Sequence, residues 1–325
     1  MLFQIITFIL ISAAIYFALS AILIIIGKPK KRSSTAKSLS FNELGFDNSG
    51  LPKIQRFQAR DGTTLSYRHY ASPSDKIVIL LHGSGWHSQY FLQLAGFMSS
   101  QGLAQVYTPD LRGHGRTPVR RGDIDYIDQL VDDLADFVVM IQQTHPHARL
   151  IVGGHSSGGG LAIRFAGSQY GKKADSYILL APFLKYNAPT MRTNSGGWAE
   201  PYTPRIIGLT MLNNTGIHWF DYLPAIFFNM PEEFRDGTET LEYSHRLNTG
   251  YAPRNYKNDL TAITQPVLVI AGTADEAFIA EQFEPVISQY TVAQVKLLPN
   301  VSHMGAVVSP EVRPVVKEWL KGLGQ

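Results

Sequence analysis

An apolar run, Leu150-Ile151-Val152, enters the stretch Gly153-Gly154-His155-Ser156-Ser157-Gly158-Gly159-Gly160, and a helix-like run, Leu161-Ala162-Ile163-Arg164-Phe165-Ala166, leaves it. At its centre Gly154-His155-Ser156-Ser157-Gly158 spells G-x-S-x-G. In so sharp a strand-to-helix turn the central serine is forced into a strained backbone conformation that projects its hydroxyl outward. The residues two before and two after it come close together, and a Cβ on either would clash, so both must be glycine. The helix that follows aims its free N–H groups at whatever negative charge forms beside the serine. A glycine-rich turn could arise by chance in a chain with 28 glycines. The strand–turn–helix setting favours a nucleophile.

The surroundings repeat one rhythm. Ile54–Arg60 and Leu65–Tyr70 flank Asp61-Gly62, which predicts a hairpin. Short apolar runs at Ile77–Leu81, Gln105–Thr108, Ser176–Leu180, Pro266–Ala271 and Ala293–Leu298 read as strands. Helical stretches alternate with them, at Phe91–Ser100, Ile127–Ile141, Ile279–Gln289 and Pro310–Lys321. This alternation predicts a mostly parallel sheet covered by helices, with functional residues at the carboxyl ends of its strands. From about 185 to 259 the rhythm breaks into a segment rich in Pro, Asn, Gly and aromatics. That segment reads as an inserted, mainly helical cap.

A serine hydroxyl needs a base, and the base needs an acid to hold its tautomer. Asp275 follows the Val267–Ala271 strand directly, with Glu276 beside it as the alternative acid; His303 follows the last strand. The order Ser156, Asp275, His303 is the nucleophile–acid–histidine order that goes with this kind of elbow. Ser157 supplies one backbone N–H for an oxyanion, and Ser84, in His82-Gly83-Ser84-Gly85 at another strand end, is placed to supply the second.

Leu2 to Ile26 carries no charge and is long enough to span a bilayer as one helix. Its positive charges come after the apolar run, and the run is too long for a signal peptide, so an uncleaved anchor over 1–27 is expected. Lys28, Lys30, Lys31, Arg32 and Lys37 follow, within a polar linker over 28–52. Their bias places the folded domain, 53–325, in the cytoplasm. The net charge is +3, and removing those five bases leaves −2 for the rest. The basic balance is therefore that of the anchor and not of a nucleic-acid surface. With no cysteine, thiolate nucleophiles, disulfides and cysteine-ligated zinc are excluded. No metal-binding histidine spacing occurs, and no cofactor is expected.

Together, Phe57-x-x-x-Asp61-Gly62-x-x-Leu65, Leu81-His82-Gly83-Ser84-Gly85, Asp110-Leu111-Arg112-Gly113-His114-Gly115, Gly154-His155-Ser156-Ser157-Gly158, Gly272-Thr273-Ala274-Asp275 and Ser302-His303 resemble the α/β-hydrolase superfamily. The likeness is to its monoacylglycerol lipase-like, lysophospholipase-like and serine-aminopeptidase-like branch. It implies Ser156 as nucleophile, Asp275 as acid, His303 as base, and Ser84 with Ser157 as the oxyanion pair. The expected activity is hydrolysis of a lipid-like carboxylic ester through an acyl-enzyme. An aminopeptidase or amidase using the same triad is the alternative, for which Glu232-Glu233 and the Glu239–Glu242 stretch could bind an amine. A non-catalytic binding protein that keeps the fold is the third reading.

Overall fold

Strands buried on both faces have no polar side to turn to water, so the short apolar runs pair with one another. In the computed structural model, which describes residues 1–27, 39–44 and 49–323, they form one large sheet. After an N-terminal helix, α1 (Leu2–Ile26), the expected hairpin appears as β1 (Gln55–Gln58) and β2 (Thr64–Tyr70). Then come β3 (Lys76–Leu81), α2 (Leu92–Ser100), β4 (Gln105–Pro109), α3 (Gln129–Thr144), β5 (Arg149–His155), α4 (Ser157–Ala166) and β6 (Ser176–Leu180). Along α3 the apolar positions face inward, as their helical spacing requires. Asp133 faces inward with them, because it receives Arg112 Nη2 at 2.7 Å and so fixes the turn after β4.

The cap follows, with β7 (Ala199–Pro201), α5 (Thr203–Asn213), β8 (Pro224–Phe228), β9 (Glu242–Ser244) and α6 (His245–Tyr251). The segment expected to be mainly helical also holds a three-stranded antiparallel sheet, in the order β7-β8-β9. Its strands are three to five residues long, too short to show an alternating pattern in the sequence. The chain returns through α7 (Tyr256–Thr261), which packs on α4, to β10 (Val267–Gly272), α8 (Phe283–Ile287), β11 (Ala293–Leu298), α9 (Gly305–Val308) and α10 (Val312–Gly322).

The main sheet has eight strands in the order β1-β2-β4-β3-β5-β6-β10-β11. The six from β4 to β11 run parallel, and the hairpin joins antiparallel at the β4 edge. This is the α/β-hydrolase fold, and it gathers the ends of β3, β5, β10 and β11 along one rim.

The basic residues Lys28 to Arg32 and Lys37 lie outside the described residues. Of the linker expected over 28–52, Leu39, Phe41 and Leu44 are buried, with Phe41 against Trp86, Trp198 and Phe234. Helix α1 is the one described helix long and apolar enough to cross a membrane, with a mean hydropathy of 2.8. Most of its surface is exposed, and its second half runs antiparallel to α5. Tyr16 Oη donates to the Met211 carbonyl at 2.8 Å, Ser20 Oγ to the Gly208 carbonyl at 2.8 Å, and Arg205 Nε to the Ile24 carbonyl at 3.3 Å. Small residues allow this approach: a Cβ on Gly208 would lie 2.7 Å from the Ser20 carbonyl oxygen.

Candidate active site

The turn between β5 and α4 has the strain its sequence implies, for Ser156 sits at φ 54°, ψ −120°. A Cβ on Gly154 would lie 2.4 Å from the Gly158 carbonyl carbon, and one on Gly158 would lie 2.0 Å from the Leu81 carbonyl oxygen. Both positions therefore require glycine. The strain is held by Ser156 N–H donating to Leu180 and by the Ser156 carbonyl accepting from Gly160 and Phe183.

Asp275 and His303 meet. His303 Nδ1 lies 2.9 Å from Asp275 Oδ2, and the two side chains are 1% and 0% exposed. Asp275 Oδ1 accepts the backbone N–H groups of Ala277 and Phe278, both at 2.8 Å. With a carboxylate at Nδ1, the imidazole carries its proton there and leaves Nε2 as the acceptor. Glu276 instead braces backbone, since Oε1 accepts the Ser40 N–H at 3.0 Å and Oε2 accepts the His303 N–H at 2.9 Å.

Ser156 and His303 line one narrow cavity, together with Gly83, Ser84, His155 and an apolar wall that includes Phe41 and Trp198. Its volume is about 20 Å³, which is room for a water and not for an acyl chain. The cap closes it from above, where Trp198 Nε1 donates to Ser84 Oγ at 3.1 Å. The backbone N–H groups of Ser84 and Ser157 make no hydrogen bond to any described residue, so each is free to donate. Ser84 thus stands at the mouth of β3 and Ser157 at the head of α4.

Three of the buried histidines near this cavity are held neutral. Burial pushes His82 down to about 4 and lowers His155 and His114 well below the usual imidazole value. None of the cap carboxylates considered as an amine site lines the cavity. Glu239 accepts the Gly237 N–H and Glu242 accepts from Tyr202 Oη. Among the described residues, no three His, Asp or Glu side chains gather closely enough to hold a metal ion.

Trp198 is one of the cap aromatics whose sequence setting suits an apolar pocket, and it lines the cavity; Phe41 and Met304 were not found from the sequence, since nothing local distinguishes them from core residues. Sequence reasoning also passed over Tyr90, which lines the cavity beside His155.

Compared with known proteins, residues 72–305 match the family model described as serine aminopeptidase, S33. A monoglyceride lipase homolog of monkeypox virus is 32% identical over 207 residues, covering 62% of this chain and 71% of the viral protein. The monoacylglycerol lipase of Mycolicibacterium smegmatis is 30% identical over 128 residues, or 39% of this chain and 45% of that protein. The match to the mycobacterial protein thus spans less than half its length. Among solved structures, a soluble variant of the monoglyceride lipase of Saccharomyces cerevisiae, in complex with a substrate analog, superposes with a TM-score of 0.66. It is 18% identical, covers 91% of this chain and 99% of its own, and the likeness is one of fold.

Proposed function

The chain belongs to the serine aminopeptidase S33 family of α/β-hydrolases, and from that premise we propose that it is a membrane-anchored serine hydrolase of lipid-like carboxylic esters. The observation that carries this reading is that His303, held at Nδ1 by the buried Asp275, lines one cavity with the strained Ser156. In the proposed reaction His303 Nε2 takes the Ser156 proton as Oγ bonds to the ester carbonyl carbon. The carbonyl oxygen becomes an oxyanion before the free N–H groups of Ser84 and Ser157. The C–O bond to the alcohol then breaks, and His303 returns the proton to the leaving oxygen. Water, deprotonated by the same imidazole, attacks the acyl carbon; the bond to Ser156 Oγ breaks, His303 returns the proton to Oγ, and the acid is released.

Three observations support an ester with an apolar acyl part. The cavity wall is apolar and aromatic, no carboxylate among the described residues stands there to meet a substrate amine, and the similar viral and mycobacterial proteins are named as lipases. The cavity's small volume implies that the cap lifts for a long chain. We read α1 as the single membrane span, and the bases that follow it put the hydrolase domain on the cytoplasmic side.

The test is fluorophosphonate labelling of the intact protein and of Ser156→Ala, followed by hydrolysis of p-nitrophenyl esters of increasing chain length. Labelling lost in the variant, with turnover that rises with acyl length, is the expected result. A folded wild-type protein that neither labels nor turns over any ester would overturn the reading.

A further inference from the structure

Three consecutive residues, Gly83, Ser84 and Gly85, form the loop after β3, and only the middle N–H is unpaired. The other two are each taken by a tyrosine oxygen. Gly83 N–H donates to Tyr90 Oη, and Gly85 N–H donates to Tyr243 Oη at 2.9 Å. Each tyrosine passes its own proton on to a buried imidazole: Tyr90 to His155 Nδ1 at 3.2 Å, and Tyr243 to His114 Nε2 at 2.6 Å.

The direction of these bonds follows from the far side of each ring. His155 Nε2 faces the His303 carbonyl at 3.1 Å, and His114 Nδ1 faces the Arg112 carbonyl at 3.0 Å. A carbonyl only accepts, so those nitrogens carry the protons and the nitrogens facing the tyrosines are bare. Each tyrosine hydroxyl must then donate to its imidazole, which leaves its lone pairs for the glycine N–H. Both tyrosines are buried, at 8% and 1% exposure, where the low local dielectric strengthens a hydrogen bond. The same ring, His155, also supports the backbone of His303.

We propose that Tyr90 and Tyr243 are positioning residues for the oxyanion site. By binding the amides on either side they lock the loop so that the Ser84 N–H alone points into the cavity. Tyr243 lies on β9, in the cap, 158 positions from Gly85. The donor geometry is therefore set only when the cap is seated, and Trp198 reaches the same loop from the cap through Ser84 Oγ. The cap thereby acts on the transition state as well as on access. This rests on the serine-hydrolase reading above.

The test compares wild type, Tyr90→Phe and Tyr243→Phe with Ser156→Ala on a short ester, p-nitrophenyl butyrate. Alongside it runs a trifluoromethyl ketone, whose carbonyl carbon takes Ser156 Oγ and whose oxygen becomes the anion facing Ser84 and Ser157. Removal of an oxyanion donor outright costs about 10²–10³ in kcat, and misaiming one should cost roughly 10- to 100-fold. The expected result is a kcat lowered by that factor with KM nearly unchanged, and a ketone affinity weakened by the same factor as kcat/KM. Affinity for butyrate, which bears no tetrahedral oxyanion, stays as in wild type. A loss confined to KM, or equal weakening of ketone and butyrate, would mean that the tyrosines only pack, and would overturn the proposal. The variants are independent, so if Tyr243→Phe does not fold, Tyr90→Phe decides. Turnover that is the same in wild type and Ser156→Ala would instead remove the serine-hydrolase reading, and the proposal with it.

Discussion

Glu276 holds the backbone of His303 and Asp275 holds its ring: the first accepts the His303 N–H at 2.9 Å, and the second receives Nδ1 at 2.9 Å. Two adjacent carboxylates thus hold different parts of one residue. Asp275→Asn presents an amide to Nδ1 and favours the wrong tautomer, which in the well-studied serine protease triad lowers kcat about 10⁴-fold. A loss of that order is expected here. Glu276→Gln keeps an acceptor for the His303 N–H, and its kcat should stay within about tenfold of wild type. Steady-state kinetics on one ester checks both, and comparable losses would show that the ring is not held by Asp275 alone.

Gly158, in the elbow, and Gly96, in α2, should respond to alanine in opposite ways. Gly158→Ala places a Cβ 2.0 Å from the Leu81 carbonyl oxygen, and backbone must move to admit it. A cost of at least about 3 kcal/mol is expected. Gly96, inside α2, has nothing within 4 Å of its would-be Cβ. Gly96→Ala should stabilise by about 0.5–1 kcal/mol. Urea denaturation of the two variants measures the contrast.

The buried neutral imidazoles make a prediction about acid. His82 is held down to about 4, and His114 and His155 lie well below the ordinary value, all by burial. In the unfolded chain each takes a proton near pH 6.5, so below that pH the unfolded state binds more protons and stability falls. Their contribution is complete above pH 6.5 and drains away as the pH drops toward the folded values. By pH 5 the loss is about 2 kcal/mol for each ring that is still neutral in the fold. Denaturation midpoints at pH 7.5 and pH 5 test this, and a flat profile would count against neutral burial.

The contact between α1 and α5 depends on small residues. Gly208→Leu would drive a side chain into the Ser20 carbonyl and into Ile24, and should separate α1 from α5. The expected readout is faster amide exchange in α5, with the hydrolase sheet unchanged. Ile207, exposed on α5, can be changed to Leu without this effect. Equal exchange in both variants would show that the helices do not depend on each other.

Much of the fold is legible in the sequence because its cues are local. Ile77 to Leu81 can only be an inner strand, Gly154 and Gly158 bracket a turn that tolerates nothing larger, and the spacing along α3 sorts its faces. The small cap sheet was not legible, since three-residue strands such as Glu242–Ser244 carry too little pattern. Helix α9 was hidden for the same reason: Gly305–Val308 is a single turn. Phe41 sits in a stretch that reads as linker, and only its contacts with Trp86, Trp198 and Phe234 give it a place at the cavity.

By itself the sequence determined the strand–helix alternation, the elbow at Ser156, the apolar helix at the N-terminus and the strand ends on which Asp275 and His303 stand. Backbone conformation and periodicity depend on neighbours a few positions away, and these are written in the chain. Tertiary structure alone decided which acid faces His303, how small the cavity is, that α1 leans on α5, and that two tyrosines leave Ser84 with the free N–H. Those outcomes depend on side chains brought together across long separations, as from Gly85 to Tyr243, where direction and distance in space are set by packing.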